Sequence, residues 1–153
     1  MNPYTFKAYG REEAMIKKRF EDIQVGEKAT FSKTMTESDI FAFAGITGDF
    51  NPIHVNAEFA KDSLFKQRVV HGMLTAGLLD QTLTNIGGAG NIHPSQLVKF
   101  LAPVFIGDTV TVISEVVSKD PNKNRATIKS TVTNQAGKTV LEGEALIMIP
   151  REK

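Results

Sequence analysis

The sequence contains no cysteine, which excludes disulfide bonds, thiolate catalysis and cysteine-ligated metal sites. It has no excess of either charge, because 18 lysines and arginines face 17 aspartates and glutamates. A net charge of +1 gives no general reason to bind nucleic acid or an anionic membrane, so we expect neither as a partner. The chain also lacks the ~18 consecutive apolar residues of a membrane span, and its charged N-terminal segment is unlike a signal peptide. A cytoplasmic location is therefore expected.

The chain length of 153 residues fits one domain with a single hydrophobic core. Residues 1–19 are mixed and charged, and we interpret them as an N-terminal extension with one short helix at Arg11–Lys18. The domain itself is expected to span residues 20–153.

The first half of this domain carries one strand and several helix signals. Lys28–Thr36 alternates in polarity and predicts a strand. Thr36 and Asp39 form a capping box for a short helix, and Asn56 can cap a second one. From Gly72 to Ile86 the residues are apolar or small around most of a helical circumference, which indicates a buried helix. The sequence GGAG then ends it.

The second half is rich in β-strand patterns separated by short polar turns. Such runs predict an antiparallel meander, and one buried helix with a curved antiparallel sheet is an α+β fold. A sheet wrapped around one helix leaves an open edge or face, which favours a homodimer. The predicted strands are Gln96–Phe105 (bent at Pro103), Thr109–Ser118, Arg125–Thr133 and Lys138–Ile149.

The loop GDFNPIH holds the first candidate for chemistry. Gly48 permits a positive φ, and Pro52 forces the preceding residue into an extended conformation. The turns between them can bring Asp49 and His54 together around one water, as a dyad that takes and returns a proton. The residue types equally fit a loop without chemistry, in which Asp49 makes an Asx-turn and His54 is incidental.

The segment VVHGM, which opens the buried helix, holds the second candidate. The N–H of Gly72 is an unpaired donor at the positive end of the helix dipole, and glycine lets a ligand oxygen approach closely. These properties suit an oxyanion hole for a thioester carbonyl. The alternative is structural: Gly72 allows tight packing and His71 serves as a weak cap.

Three motifs in order, GDFNPIH, VVHGM and LVKFLAPVFIGDTVTV, resemble the MaoC-like, R-specific enoyl-CoA hydratase family over about residues 20 to 150. The resemblance implies the hot dog fold, a sheet wrapped around a central helix, working as a dimer. It places the family's catalytic aspartate and histidine at Asp49 and His54, and its oxyanion donor at Gly72. The implied reaction adds water to a 2-enoyl-CoA to form an (R)-3-hydroxyacyl-CoA, or reverses it. No metal or redox cofactor is implied, and coenzyme A enters as part of the substrate.

Further residues are assigned to substrate binding. Asn51 matches the loop asparagine of the family, and His71 and Met73 flank Gly72 in the second motif. The cations Lys61 and Arg68, with Lys66 between them, are candidates for the phosphates of coenzyme A. The alternative for these cations is a solvated face.

The remaining observations concern substrate size and competing activities. Asp80 stands where some relatives carry a small hydroxyl residue, so it either closes the acyl tunnel or bonds elsewhere. His93 is expected in a loop, and four phenylalanines are core or acyl-pocket candidates: Phe41, Phe43, Phe100 and Phe105. The alternative functions are a hot dog acyl-CoA thioesterase and a non-catalytic acyl-CoA-binding protein.

Overall fold

The computed structural model describes residues 5–8, 11–14 and 17–150. Its strands are β1 (Thr5–Ala8), β2 (Arg11–Ala14), β3 (Lys28–Thr34), β4 (Ile92–Phe100), β5 (Thr109–Asp120), β6 (Arg125–Thr133) and β7 (Thr139–Met148). Its α-helices are α1 (Glu37–Thr47), α2 (Pro52–Val55), α3 (Ala57–Asp62), α4 (Gly72–Gly77) and α5 (Leu79–Gly87). A 3₁₀ turn at Phe20–Asp22 precedes β3. Among the described residues, no helix has the length and apolarity to cross a membrane.

Five strands form one antiparallel sheet in the order β3-β5-β6-β7-β4. The consecutive strands β5, β6 and β7 are the predicted meander, while β4 pairs with β7 and β3 pairs with β5. The two outer strands are therefore β3 and β4, the strands on either side of the helical segment in the sequence. The α+β prediction is confirmed.

The central helix begins at Gly72 as predicted, but it has two parts, α4 and α5. At Leu78 the backbone keeps right-handed helical angles, with φ −68° and ψ −18°. Its N–H nevertheless donates to the carbonyl of Thr75, three residues back, at 3.2 Å. One turn is thus tightened, as in a 3₁₀ helix, and the path of the helix continues.

The core lies between this helix and the sheet, in two clusters of buried apolar side chains. Ala76 and Leu79 pack into the first cluster, and Leu83 and Ile86 into the second. The helix therefore contributes to both clusters along its length. Fully burying side chains of this size stabilises a fold by roughly 1.5–3 kcal/mol each.

A buried chain of hydroxyl groups joins helix to sheet. The Oγ1 of Thr82 donates to the carbonyl of Leu79 at 2.7 Å and lies 2.6 Å from Oγ of Ser114. Oγ of Ser114 lies 2.6 Å from Oγ of Ser130. Because Thr82 donates to a carbonyl, its oxygen accepts from Ser114, and Ser114 accepts from Ser130. Each of these buried groups is paired.

The N-terminal helix predicted at Arg11–Lys18 is wrong. Arg11–Ala14 is a strand that pairs antiparallel with Thr5–Ala8, and the pairs run from Thr5 with Ala14 to Ala8 with Arg11. Two residues, one of them Gly10, separate the strands in the sequence, which is typical of a hairpin. The helix propensity of Arg11–Ala14 was outweighed by its pairing with Thr5–Ala8. The residues of one strand alone do not show that a second strand pairs with it. Residues 15–16 of the predicted helix lie outside the described residues.

The predicted capping box at the start of α1 is confirmed. The Thr36 hydroxyl accepts from the N–H of Asp39, and the Asp39 carboxylate accepts from the N–H of Thr36 at 2.8 Å. Lys33 Nζ lies 3.0 Å from the same carboxylate. Burial raises the pKa of Asp39, but the hydrogen bonds from Thr36 and the charge of Lys33 outweigh it, so the pKa lies below the usual carboxyl value. Asn56 caps α3 as predicted, with its side-chain oxygen accepting the N–H of Phe59.

This cap predicts a pH-dependent contribution to stability. Asp39→Asn should lower the free energy of unfolding at pH 7 by roughly 0.5–1 kcal/mol, because it removes a negative charge from the first turn of a helix and from the ion pair with Lys33. Because folding lowers the pKa, the contribution is complete above the unfolded value of about 3.9 and disappears as the pH falls through the folded value. Urea unfolding of wild type and variant at pH 7 and about pH 3 measures this. An equal difference at both pH values would contradict a contribution from the carboxylate charge.

Candidate active site

The loop carrying Asp49 leaves α1 through a glycine. Gly48 has a φ of +77°, a backbone conformation that residues with a side chain rarely adopt. Its N–H donates to the carbonyl of Ala44 at 2.8 Å. The N–H of Asp49 then bonds to Oγ1 of Thr47, and Asp49 Oδ1 accepts the N–H of Asn51 at 3.2 Å. The Asx-turn considered from the sequence is present. It also fixes the direction of an exposed carboxylate.

Asn51 holds the same loop from its other side. It is extended, with φ −52° and ψ 126°, as a residue before proline should be. Its side-chain oxygen accepts the N–H of Ile53 at 3.2 Å and so caps α2. The sequence did not reveal α2, which is a single helical turn beginning at Pro52. This turn places His54 beside the loop that carries Asp49.

The ring of His54 is fixed in one tautomer. Its Nδ1 lies 2.8 Å from the backbone carbonyl of Val69, and a carbonyl only accepts hydrogen bonds. Nδ1 therefore carries the proton, so the lone pair of the neutral ring is on Nε2. The side chain is half-buried and lines a cavity. His54 can thus act as a base through Nε2.

His71 has a different place from the one expected. It was assigned to substrate binding, but its side chain is 1% exposed and it does not line the cavity. Its Nε2 donates to the backbone carbonyl of Asp49 at 3.0 Å. Its ring stacks on His54, with centroids 3.9 Å apart, and also contacts Phe43 at 4.9 Å. His71 immediately precedes the helix and is buried there, which explains the difference. Its hydrogen bond ties the Asp49 loop to the start of the helix.

Asp49, His54 and His71 lie close enough to share one water molecule. One carboxylate oxygen or ring nitrogen from each residue lies within 4.8 Å of the others. Groups at this separation can exchange a proton through a single bridging water. The same three residue types can also ligate a metal ion.

Gly72 begins α4 at the wall of a cavity of about 460 Å³. A Cβ at this position would lie 2.9 Å from Cε1 of Phe100, so any side chain here would have to displace the Phe100 ring. The lining is mostly aliphatic and aromatic, and its polar side chains are those of His54 and Thr75. The volume lies in the range of small-molecule sites, ~300–1,000 Å³. A base and a helix N-terminus therefore face one largely apolar cavity.

The predicted phosphate-binding cations are paired with acids. Lys61 Nζ lies 2.6 Å from Glu58, and Arg68 Nη2 lies 2.6 Å from Glu37. The Arg68 side chain is only 17% exposed, and Glu37 partly neutralises the positive charge that a phosphate would bind. Met73 is 60% exposed and does not line the cavity. The binding roles of Lys61, Arg68 and Met73 stay predictions.

Asp80 does not line the cavity. Its Oδ1 lies 2.8 Å from Nδ1 of His93, and its side chain is 67% exposed. His93 was expected in a loop but lies in β4, which extends further towards the N-terminus than the sequence pattern suggested. This contact favours the interpretation in which Asp80 bonds elsewhere over the one in which it closes the acyl tunnel.

The four phenylalanines that were candidates for the core or the acyl pocket have different surroundings. Phe100 lines the cavity and is 52% exposed, and Phe41 is 46% exposed. Phe43 is half-buried against His71, and Phe105 is half-buried. Of the four, Phe100 alone lines the cavity and stays a candidate for the acyl pocket.

Comparisons with known proteins identify the family of the chain. The family model described as MaoC like domain matches residues 21–139. The chain is 48% identical over 132 residues to the (R)-specific enoyl-CoA hydratase of Rhodospirillum rubrum, covering 86% of this chain and 91% of the relative. It is 42% identical to the 3-hydroxybutyryl-CoA dehydratase of Methylorubrum extorquens, covering 88% and 85%. The structure matches that of the (R)-hydratase of Aeromonas caviae with a TM-score of 0.82 at 37% identity, covering 85% and 99%.

The fold and these relatives together define a hot dog protein of the hydratase and dehydratase class. The chain belongs to the MaoC-like family.

Proposed function

We propose that the chain interconverts a 2-enoyl-CoA and an (R)-3-hydroxyacyl-CoA with Asp49, His54 and the N–H of Gly72. The observation that carries this assignment is the bond from His54 Nδ1 to the Val69 carbonyl. It leaves the lone pair on Nε2 of a residue that lines the same cavity as Gly72. The curated relatives named above act as hydratases or dehydratases on such thioesters.

The chemistry follows from the positions of these groups. The N–H of Gly72 donates to the thioester oxygen and favours the negative charge that develops there. Asp49 and His54 hold a water, take one of its protons as its oxygen bonds to the third acyl carbon, and return a proton to the second carbon. The pair acts as a unit, so individual proton transfers are assigned to the dyad and not to one residue. Dehydration reverses each step.

The roles of the neighbours follow from the same contacts. His71 holds the backbone of Asp49 and packs on the ring of His54, so it positions both members of the dyad. Asn51 fixes the Asp49 carboxylate through its N–H and the start of α2 through its side chain. Neither residue needs to touch the substrate in order to affect turnover.

The activity is tested with crotonyl-CoA and a thiol reagent in the same cuvette. Hydration removes the enoyl absorbance without releasing free thiol. A hot dog thioesterase would release coenzyme A in step with substrate loss, and a non-catalytic binding protein would change neither signal. Either of these results would overturn the proposal.

We also propose that the chain works as a homodimer. The outer strand β4 has a partner, β7, on one side only among the described residues. Several apolar side chains on β4 and beyond it are exposed, among them Leu97 (63%), Phe100 (52%) and Leu101 (51%). An exposed apolar edge of this kind favours association.

Sedimentation at micromolar concentration should give about twice the 16.8 kDa chain mass. Leu97→Lys should shift the protein towards the monomer, because it places a charge in the apolar edge. Val25→Lys adds the same charge at another exposed apolar position, just before the opposite edge strand β3, and should leave the dimer intact. A wild-type protein that is monomeric and active would refute the dimer.

A further inference from the structure

Asp49 lies in an exposed loop, yet the protein binds both polar groups of its backbone. Its N–H donates to Oγ1 of Thr47 at 3.2 Å, and its carbonyl accepts from Nε2 of His71 at 3.0 Å. Its carboxylate accepts the N–H of Asn51. Water can satisfy the backbone groups of an exposed loop, so folding alone does not require these bonds. Their effect is to restrict where the carboxylate lies.

The hydroxyl of Thr47 joins the Asp49 backbone to helix α1. Thr47 is the last residue of α1, and its Oγ1 donates to the carbonyl of Phe43 at 2.7 Å. A hydroxyl has one proton to donate and two lone pairs that accept, so Oγ1 accepts the N–H of Asp49 at the same time. The bond to Phe43 sets the direction of the hydroxyl. The orientation of the Asp49 N–H is therefore tied to the end of the helix.

Phe43 anchors both backbone contacts of Asp49. Its carbonyl binds Thr47, and its ring contacts the ring of His71 at a centroid distance of 4.9 Å. His71 in turn stacks on the ring of His54 at 3.9 Å. The last turn of α1 thus supports the carboxylate and the imidazole of the dyad together. A displacement of about 1 Å in such a group can lower a rate by about 100-fold.

We propose that Thr47 is a positioning residue for the reaction, an inference that rests on the function proposed above. Its hydroxyl keeps the Asp49 carboxylate within 4.8 Å of a ring nitrogen of His54, and Thr47 itself does not line the cavity. Gly48, with φ +77°, has no side chain that restricts the loop, so loss of the hydrogen bond frees the carboxylate to turn into solvent. The substrate still binds, but fewer complexes hold the water in its reactive position.

The test compares kcat and KM on crotonyl-CoA in wild type, Thr47→Val and Thr47→Ser. Valine keeps the branched shape of threonine and removes both hydrogen bonds. It should lower kcat by roughly 10- to 100-fold, between the effect of one hydrogen bond and that of a displacement of about 1 Å, and leave KM near the wild-type value. Serine keeps the hydroxyl, so Thr47→Ser should recover most of kcat. A wild-type kcat in Thr47→Val, or a change confined to KM, would overturn the proposal.

Thr36→Val is the matched control, because it removes a hydroxyl at the other end of the same helix. The Thr36 hydroxyl also accepts a backbone N–H, that of Asp39, and donates to the Asp39 carboxylate at 2.7 Å. Its loss should lower Tm by weakening the start of α1 and leave kcat unchanged. An equal loss of kcat in Thr36→Val and Thr47→Val would show that any destabilisation of α1 slows the reaction. Thr47 would then have no positioning role of its own.

A double-variant cycle with Asp49→Asn identifies the group through which Thr47 acts. A hydroxyl that only places the carboxylate has little left to position once that carboxylate is an amide. Thr47→Val should therefore lower the residual kcat of Asp49→Asn by much less than it lowers that of wild type. The same fold-loss in both backgrounds would contradict the proposal and leave the hydratase function standing. Absence of hydration by the wild-type enzyme would overturn both.

Discussion

Asp49→Asn and His54→Ala should each lower kcat on crotonyl-CoA by about 10²–10⁴-fold, the range of general acid–base catalysis. Both residues act on one water, so the double variant should lose little more than either single variant. Asp49→Asn keeps a side-chain oxygen that can accept the N–H of Asn51, so the loop should remain in place. Stopped-flow or steady-state loss of enoyl absorbance measures the effect.

His54→Asn separates the base from its structural bond. The shorter amide can donate to the Val69 carbonyl as Nδ1 does, but it has no basic nitrogen in the place of Nε2. It should keep the thermal stability of the wild type better than His54→Ala and be equally inactive. Activity close to that of the wild type in either His54 variant, or in Asp49→Asn, would remove that residue from the dyad.

Gly72→Pro should lower kcat/KM by a further 10²–10³-fold relative to Gly72→Ala, about the usual effect of losing one oxyanion donor. Alanine brings a Cβ against Phe100, whereas proline brings a ring to the same place and also removes the N–H. Proline is compatible with the first helical position, and His71, with ψ 130°, already has the extended backbone that precedes proline. The difference between the two variants reports the loss of the N–H together with the two further ring carbons of proline, and an unchanged Tm would show that those carbons do not disturb the fold.

Steady-state kinetics on crotonyl-CoA, with Tm measured for both variants, tests this prediction. Equal kcat/KM for Gly72→Ala and Gly72→Pro would show that the N–H of Gly72 does not polarise the thioester. The glycine would then serve only the close packing of Phe100 against the helix.

Local chemistry predicted the parts of the fold that depend on neighbouring residues. The Thr36–Asp39 capping box, the positive φ of Gly48 and the strand Arg125–Thr133 are where the sequence places them. Each depends on side chains or backbone within a few positions. Strand pairing was not predictable in the same way. Arg11–Ala14 was taken for a helix because its own residues do not show the strand that it pairs with, and β4 was started too late because its partner β7 is distant in the sequence.

In the candidate site, too, features set by neighbouring residues were predicted and features set by distant residues were not. The loop of Asp49 and His54 and the helix start at Gly72 were found because each carries a glycine or proline with a specific backbone requirement. The carbonyl of Val69 that fixes the His54 tautomer has no signature in the sequence. The burial of His71 depends on packing from Phe43 and His54, which lie far away in the chain.

Water addition by Asp49, His54 and Gly72 is tested most directly by a single reaction of crotonyl-CoA in oxygen-18 water, with chiral and mass analysis of the product. The dyad should produce the (R)-3-hydroxybutyryl thioester with the label at the hydroxyl oxygen. Label in a free carboxylate would mean attack at the thioester carbonyl. That result, or an (S)-configured product, would contradict the roles of these three residues in (R)-specific hydration.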